Sequence, residues 1–472
     1  MATDFAAQVV VQRVGVGAAV VFGSFAVGLA VGAVGAFAGP LAMVGLPLVA
    51  LLAVAMLERP WLGAATVGLV LPVGLQTVPG LPLQVIEVVV LAVAGVLLLR
   101  AAVVRGTPKP WARPVGWALA ILVVAIAATP SALDPGLALK QLFTLGVSFV
   151  AMLVVLGACT SLHDVRRVVV TVMFVAVGIT ASSLSSANRL RSAYGGNVVD
   201  NRLSGVFVDP NELGGFAMVV VLLATGLYLG ARTGRQRVLG AVGMASSSAA
   251  LLLSLSRGSW IGTTFGGLLL VTLLPGARRF LLTTIVPVLM VAGAFVALQP
   301  DNLQVQVVTQ RLGTVADPGG NPYDDRPAIW AEGRREVVEQ PWNGYGPGNF
   351  PVASSRNSSA IVSVNARHAH DFLLTVAAEI GLLGAALLIG FTLATGSALC
   401  RVIRRLPDRR DAALVGGLAA SLFAVVGQGL IDFTLRNVVL HVLVWFVAGL
   451  AMVVVRDHGD TTRSTSRPGV RY

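Results

Sequence analysis

The chain is 472 residues long, 56% hydrophobic and only 12% charged, with a formal net charge of +12. A soluble domain holds about 45–50% apolar and about 25% charged residues, and a water-soluble protein of this length has no interior able to hide so much apolar surface. Soluble enzymes, disordered chains and disulfide-rich secreted modules are excluded, which leaves a polytopic integral membrane protein.

A bilayer core of about 30 Å takes about 20 apolar residues per helix. Runs of that kind cover residues 14–34, 40–57, 61–78, 84–104, 115–133, 142–158 and 168–186, then 211–230, 238–255, 259–274 and 279–298. Three more follow at 371–395, 412–430 and 436–455. The expected fold is all-α with about 12–14 transmembrane helices, since the short runs 40–57, 61–78 and 259–274 leave room for re-entrant or kinked segments. The chain divides into N-terminal helices (1–186), central helices with arginine motifs (187–298), a hydrophilic segment (299–370), C-terminal helices (371–455) and a basic tail (456–472). The first apolar run is long and is followed at once by another, so no cleavable signal is expected. Charges within the runs are few, Glu87 being the nearest to a mid-span acid.

The basic residues are almost all arginine, Lys109 and Lys140 being the lysines, and most sit in short loops between apolar runs. That placement follows the positive-inside rule, so the basic balance gives no reason to expect nucleic acid. With the N-terminus cytoplasmic, roughly two in three of the 34 Lys and Arg fall on the inner side. Both termini are then expected to be cytoplasmic and the segment 299–370 extracytoplasmic. Cys159 and Cys400 each end an apolar run and suggest neither a disulfide framework nor a metal site.

The hydrophilic segment should contain structure of its own, because long structureless loops are uncommon. Asp324 and Asp325 precede Arg326-Pro327, and Ala328–Glu339 runs to Gln340-Pro341, so acids and a proline at one end and a proline at the other bracket a helix. Ile329, Gly333 and Val337 form a stripe that could dock it on the membrane helices. Asn343-Gly344-Tyr345-Gly346-Pro347-Gly348 follows as a turn.

Some basic residues are not explained by topology. Lys140, Arg202, Arg257 and Arg326 are expected on the outer side, the first three tight against membrane spans. A single such residue is readily a lipid-phosphate or ion-pair partner. Several converging on one face suit a polyanion, because guanidinium matches phosphate oxygens bidentately. His370 lies in Arg367-His368-Ala369-His370-Asp371, where the chain re-enters the membrane. It reads either as a structural interfacial histidine or as an acid–base group working near neutral pH. A zinc site lacks a third ligand at recognisable spacing. Glu379, nine residues on, falls on the opposite side of a helix and reads as a structural acid.

Taken together these residues resemble the O-antigen ligase and polymerase superfamily of bacterial envelope glycosyltransferases. The resemblance rests on Arg202-x-x-Gly205 with Pro210-Asn211, on Ser256-Arg257-Gly258, and on Arg326-x-x-x-Trp330 followed by Pro341-x-x-Gly344-x-Gly346-x-Gly348-x-Phe350. Ala369-His370, Leu373 and Glu379-Ile380-Gly381-Leu382-Leu383-Gly384 complete it. It covers about residues 200–390, and departs from the family at Asp371, where asparagine is usual. The resemblance implies a GT-C-like membrane fold and a metal-independent, inverting transfer at the outer face of the cytoplasmic membrane. The donor would be a glycan on a polyprenyl diphosphate and the acceptor a sugar hydroxyl of a glycan or glycolipid. Carried over by position, Arg202 and Arg326 would hold the diphosphate, Arg257 and Lys140 would assist, and His370 would be the general base. No metal or other cofactor is expected. A polysaccharide polymerase of the same superfamily, or a transporter or flippase of lipid-linked glycans, are the competing readings.

Overall fold

The computed structural model describes residues 40–185, 189–299, 326–356 and 368–459, apart from residues 80, 106, 195, 196 and 208, with a few isolated positions between 302 and 313. The expected span at 14–34 and the basic tail from 460 onward lie outside the described residues. The N-terminal part forms α1 (Pro40–Glu58), α2 (Trp61–Val70), α3 (Val85–Val103), α4 (Val115–Ala128), α5 (Pro135–Ala158) and α6 (Leu162–Ser185). An antiparallel hairpin, β1 (Arg189–Tyr194) and β2 (Asn197–Leu203), follows. Next come α7 (Pro210–Leu229), α8 (Gly234–Leu253), α9 (Arg257–Leu273), α10 (Pro275–Phe280) and α11 (Val286–Leu298). The hydrophilic segment supplies α12 (Arg326–Glu339) and α13 (Phe350–Ser355), before α14 (Phe372–Arg405), α15 (Arg409–Gly429) and α16 (Val438–Gly459).

The fold is an all-α membrane bundle, and the hairpin is the one addition to what was expected. Among the described residues seven helices are long and apolar enough to cross a bilayer alone, or eight if the pair α9–α10, bent by 119°, counts as one broken span. Helices within 48–58, 61–73 and 115–131 are apolar but shorter. The bend falls at Leu274-Pro275, as expected where a proline follows a helix end. Glu87 proves to be no mid-span charge: it sits in the first turn of α3 and its carboxylate accepts the Gln84 N–H at 2.7 Å, closing a capping box.

Small and capping residues set the bundle's geometry. Asp134, Asp209, Thr233, Ser256, Asp371 and Asp408 each cap a helix N-terminus, with proline at the first position of α5 and α7. The bundle centre is α7, α15 and α16, whose apolar windows are 83%, 78% and 94% buried, whereas α3 at 22% lies on the periphery. Backbones touch where α7 crosses α15: a Cβ on Gly226 would stand 2.7 Å from the Gly417 Cα. Such contact between small residues replaces the hydrophobic drive that lipid does not supply.

The glycine-rich turn and α12 both pack against α14. The helix breaks at Ile380-Gly381, where Gly381 has φ +78°. The glycine-rich turn packs into this break: Leu382 N–H donates to Pro341 O at 2.8 Å, and Tyr345 and Gly346 N–H donate to Ala378 and Glu379 O, each at 2.9 Å. The Glu379 carboxylate accepts the Gly348 N–H at 2.8 Å and so ties the turn to the break. The Ile329–Gly333–Val337 stripe of α12 docks beside it: Ile329 packs with Phe350, Ala369 and Ala378, with Val337 and Leu374 against them.

Candidate functional site

One end of the bundle gathers helix termini and the turns between them. The chain enters α14 through His368-Ala369-His370-Asp371. Thr375 Oγ donates to Asp371 O at 2.7 Å and accepts the Ala369 N–H at 3.2 Å, while the Asp371 carboxylate accepts the Leu374 N–H at 2.8 Å. Asp371 is therefore an N-cap. Asparagine, the residue the resemblance would lead one to expect there, caps as well as aspartate. His370 itself has φ +51°, a left-handed backbone that turns its ring back toward the bundle.

There it meets Asp432, in the turn between α15 and α16. His370 Nδ1 lies 2.9 Å from Asp432 Oδ1, and the Phe433 N–H donates to the same oxygen at 2.8 Å. His370 is 27% exposed at its side chain and Asp432 only 6%. Burial alone would raise the Asp432 pKa, but the two histidines beside it and the nearby Arg326 guanidinium outweigh it and hold the carboxyl well below its ordinary value. An ionised carboxylate only accepts, so Nδ1 of His370 carries the proton and Nε2 holds the lone pair. His368 is different. It is buried, its ring centroid lies 4.3 Å from that of His370, and burial pushes its pKa down to about 4. Its Nε2 stands 3.9 Å from Asp432 Oδ1, and its Nδ1 is buried with no hydrogen bond.

The arginine motifs surround this pair to different degrees. Ser256-Arg257-Gly258 opens α9 directly against it: a Cβ on Gly258 would lie 3.4 Å from Asp432 Cβ and 3.5 Å from Gln428 Cγ. Arg257 is half-buried at that helix start. Gln428 donates to Ser259 Oγ at 2.8 Å, and Ser256 and Ser259 hydroxyls lie 2.9 Å apart. Arg202, 8% exposed, reaches the same serine-rich turn, its Nε donating to Ser254 O at 2.9 Å and its Nη2 to Asn211 Oδ1 at 2.6 Å. Arg326, at the first turn of α12, bears electrostatically on Asp432. Lys140 is exposed on α5, next to Gln141 under the glycine-rich turn, and no contact joins it to the other four among the described residues.

Sequence reasoning missed Asp432, Gln428 and the role of Arg436. Arg436 pairs with Asp209 at 2.6 Å and lies 3.5 Å from Glu212, which also accepts from Asn437 at 2.9 Å. This ties the start of α7 to the start of α16. The available signal for Asp432 was an acid just beyond an apolar run, at the same membrane edge as His370.

A cavity of about 390 Å³ lies beside this cluster. Phe372 and Phe433, stacked at 5.5 Å, line it, and Phe433 also touches the His368 ring at 5.5 Å. Its walls continue along α14 past Leu388 and Phe391 to Leu399 and Cys400. From Gly381 to Leu399 that helix rises about 27 Å, close to the thickness of a bilayer's hydrocarbon core.

Fold and site together define a polytopic membrane protein with a histidine–carboxylate–arginine centre at one end of its bundle. Residues 241–389 match the family model described as O-antigen ligase, a stretch that holds Arg257, Arg326, the glycine-rich turn and His370. The match supports the O-antigen ligase and polymerase superfamily for this chain. No curated relative matches. Among solved structures, a chain from a study of polymerization and crosslinking by a peptidoglycan synthase complex aligns with a TM-score of 0.43 and 18% identity, covering 74% of this chain and 98% of that one.

Proposed function

We propose that the protein is a membrane glycosyltransferase of the O-antigen-ligase kind, moving a glycan from a polyprenyl-diphosphate carrier to a sugar hydroxyl. The observation that carries the reading is the wall at Phe372 and Phe433: these rings line an apolar cavity about as long as a bilayer's hydrocarbon core is thick, and Phe433 packs on the His368 ring of the polar centre. A substrate joining a long isoprenoid tail to a diphosphate needs that combination. On this reading the tail lies along α14 and the diphosphate meets Arg202, Arg257 and Arg326. Lys140 takes a peripheral part at the exposed rim.

Nε2 of His370 removes the proton of the acceptor hydroxyl as its oxygen attacks the anomeric carbon. The bond from that carbon to the carrier's phosphate oxygen breaks on the opposite face, inverting the centre. Asp432 holds the imidazole in the required tautomer and stabilises the imidazolium that forms, as a carboxylate does behind a general base. The charge developing on the diphosphate is met by guanidinium groups, which makes a metal unnecessary. His368, with a pKa near 4, is a poor proton acceptor at neutral pH. The centre faces the extracytoplasmic side of the cytoplasmic membrane, with both termini in the cytoplasm.

The test is transfer by purified protein, reconstituted with a polyprenyl-diphosphate glycan and candidate acceptors, with and without EDTA. Product formed equally in both supports the mechanism, and the acceptor consumed separates a ligase from a polymerase. Activity lost in EDTA and restored by magnesium would overturn the arginine-based account.

A further inference from the structure

We propose that His368, His370 and Asp432 form a site for a zinc-class divalent cation, and that its occupation switches transfer off. The inhibitory consequence rests on the role given to His370 above; the binding does not. The three side chains offer ligand atoms that all lie within 4.8 Å of one another. Two imidazoles and one carboxylate are a donor set that zinc accepts, with bonds of about 2.0–2.2 Å. A tetrahedral ion needs its ligands about 3.3 Å apart at such bond lengths. The His370–Asp432 separation of 2.9 Å and the His368–Asp432 separation of 3.9 Å bracket that value.

Two further features point the same way. His368 is a buried imidazole whose Nδ1 has no hydrogen bond and whose Nε2 stands too far from Asp432 to make one. Buried polar groups are ordinarily paired, and a cation drawing in Nε2 would give this ring a partner. His370 is the exposed member, so the fourth position of the ion would open toward solvent. Asp432 is fixed by the Phe433 N–H, which limits how far the site must rearrange.

Coordination would act on the base through its tautomer. The ion replaces the proton on His370 Nδ1, and a neutral imidazole metallated there carries its proton on Nε2. The nitrogen that accepts the hydroxyl proton in the free protein thereby becomes a donor. The Arg326 and Arg436 charges near the histidines oppose a dication, so the site should release its ion to a chelator rather than hold it as a structural metal.

The full chain, purified in detergent, stripped with EDTA and desalted, would be titrated with cobalt and then zinc. One cobalt per chain, with the intense visible bands of four-coordinate geometry, bleached by zinc and lost in His368→Gln and His370→Ala, is the expected result. Only weak six-coordinate bands in the wild-type protein, or full bands surviving in both variants, would overturn the site. Transfer should be complete in EDTA and fall to about a tenth at free zinc ten times the dissociation constant. Absent cobalt bands with normal transfer would defeat this inference alone. Normal cobalt binding with transfer indifferent to zinc would instead remove His370 as the base and the switch with it.

Discussion

Two buried acids show how different environments decide the charge of the same chemical group. Asp432 is kept ionised by the histidines beside it, and so fixes which nitrogen of His370 is basic. Replacing His370 by alanine should lower transfer by about 10²–10⁴-fold, with donor binding retained because the arginines remain. His368→Ala should be milder, and Asp432→Asn should lose turnover while keeping donor affinity. Single-turnover rates beside donor binding measure this, and a dead His368→Ala with an active His370→Ala would move the base. Glu336 on α12 is the opposite case. It is fully buried, neither carboxylate oxygen has a hydrogen bond, and burial with Glu332 nearby pushes its pKa up to about 9. The folded state therefore holds a proton that the unfolded chain, with an ordinary glutamate near 4.5, gives up. Stability is complete below about pH 4.5 and should fall as pH rises to about 9, by at most about 1.4 kcal/mol per unit. Glu336→Gln should flatten that part of the melting-temperature profile and raise stability at pH 7.5, as thermal melts in detergent would record.

Helices here are positioned by the places where they stop. The break in α14 gives the glycine-rich turn two carbonyls and one N–H to bond, and so sets α12 and the re-entry to His370 in one frame. Gly381 has positive φ, and a Cβ there would fall 2.0 Å from Trp342 O. Gly381→Ala should cost about 1–3 kcal/mol in backbone strain before any clash is counted. The expected readout is a lowered melting temperature with reduced transfer, whereas Gly95→Ala, on the peripheral helix α3 with open space around it, should change neither. Equal melting temperatures for the two would mean that the break is not set by Gly381. The broken α14 was not legible in advance, because glycine inside an apolar run is common in membrane helices. The stripe of α12 was legible, since helical periodicity alone places Ile329, Gly333 and Val337 on one face.

At the scale of the whole molecule, the cavity and the orientation are the testable properties. Thr392 lines the cavity on α14, and Thr392→Trp should fill it without touching His370. A KM raised about tenfold for a long-chain donor, with kcat little changed and a short-chain donor less affected, is the outcome expected of a tail groove (a tenfold change is about 1.4 kcal/mol). Equal effects on both donors would place the tail elsewhere. Cysteines introduced at Ser355 and Ser464 test orientation: an impermeant thiol reagent on intact cells should label the first and not the second. The reverse pattern would invert the protein.

The sequence by itself determined the solvent, the helical class and the residues worth suspicion. Apolar runs of bilayer length can satisfy their backbone in lipid only as helices; the positions of Arg202, Arg257, Arg326 and His370 beside those runs then needed no tertiary information. Only the tertiary structure decided which of them lie together. Asp432 lies 62 residues from His370 in the chain, and nothing in local periodicity pairs a turn between α15 and α16 with the start of α14. The same holds for the cavity, whose walls come from six helices, and for Lys140, whose charge matched the others while its place on α5 did not. A hydropathy pattern records which side chains leave water, but contacts between helix ends depend on how the backbones cross, and that is set by packing of the whole bundle.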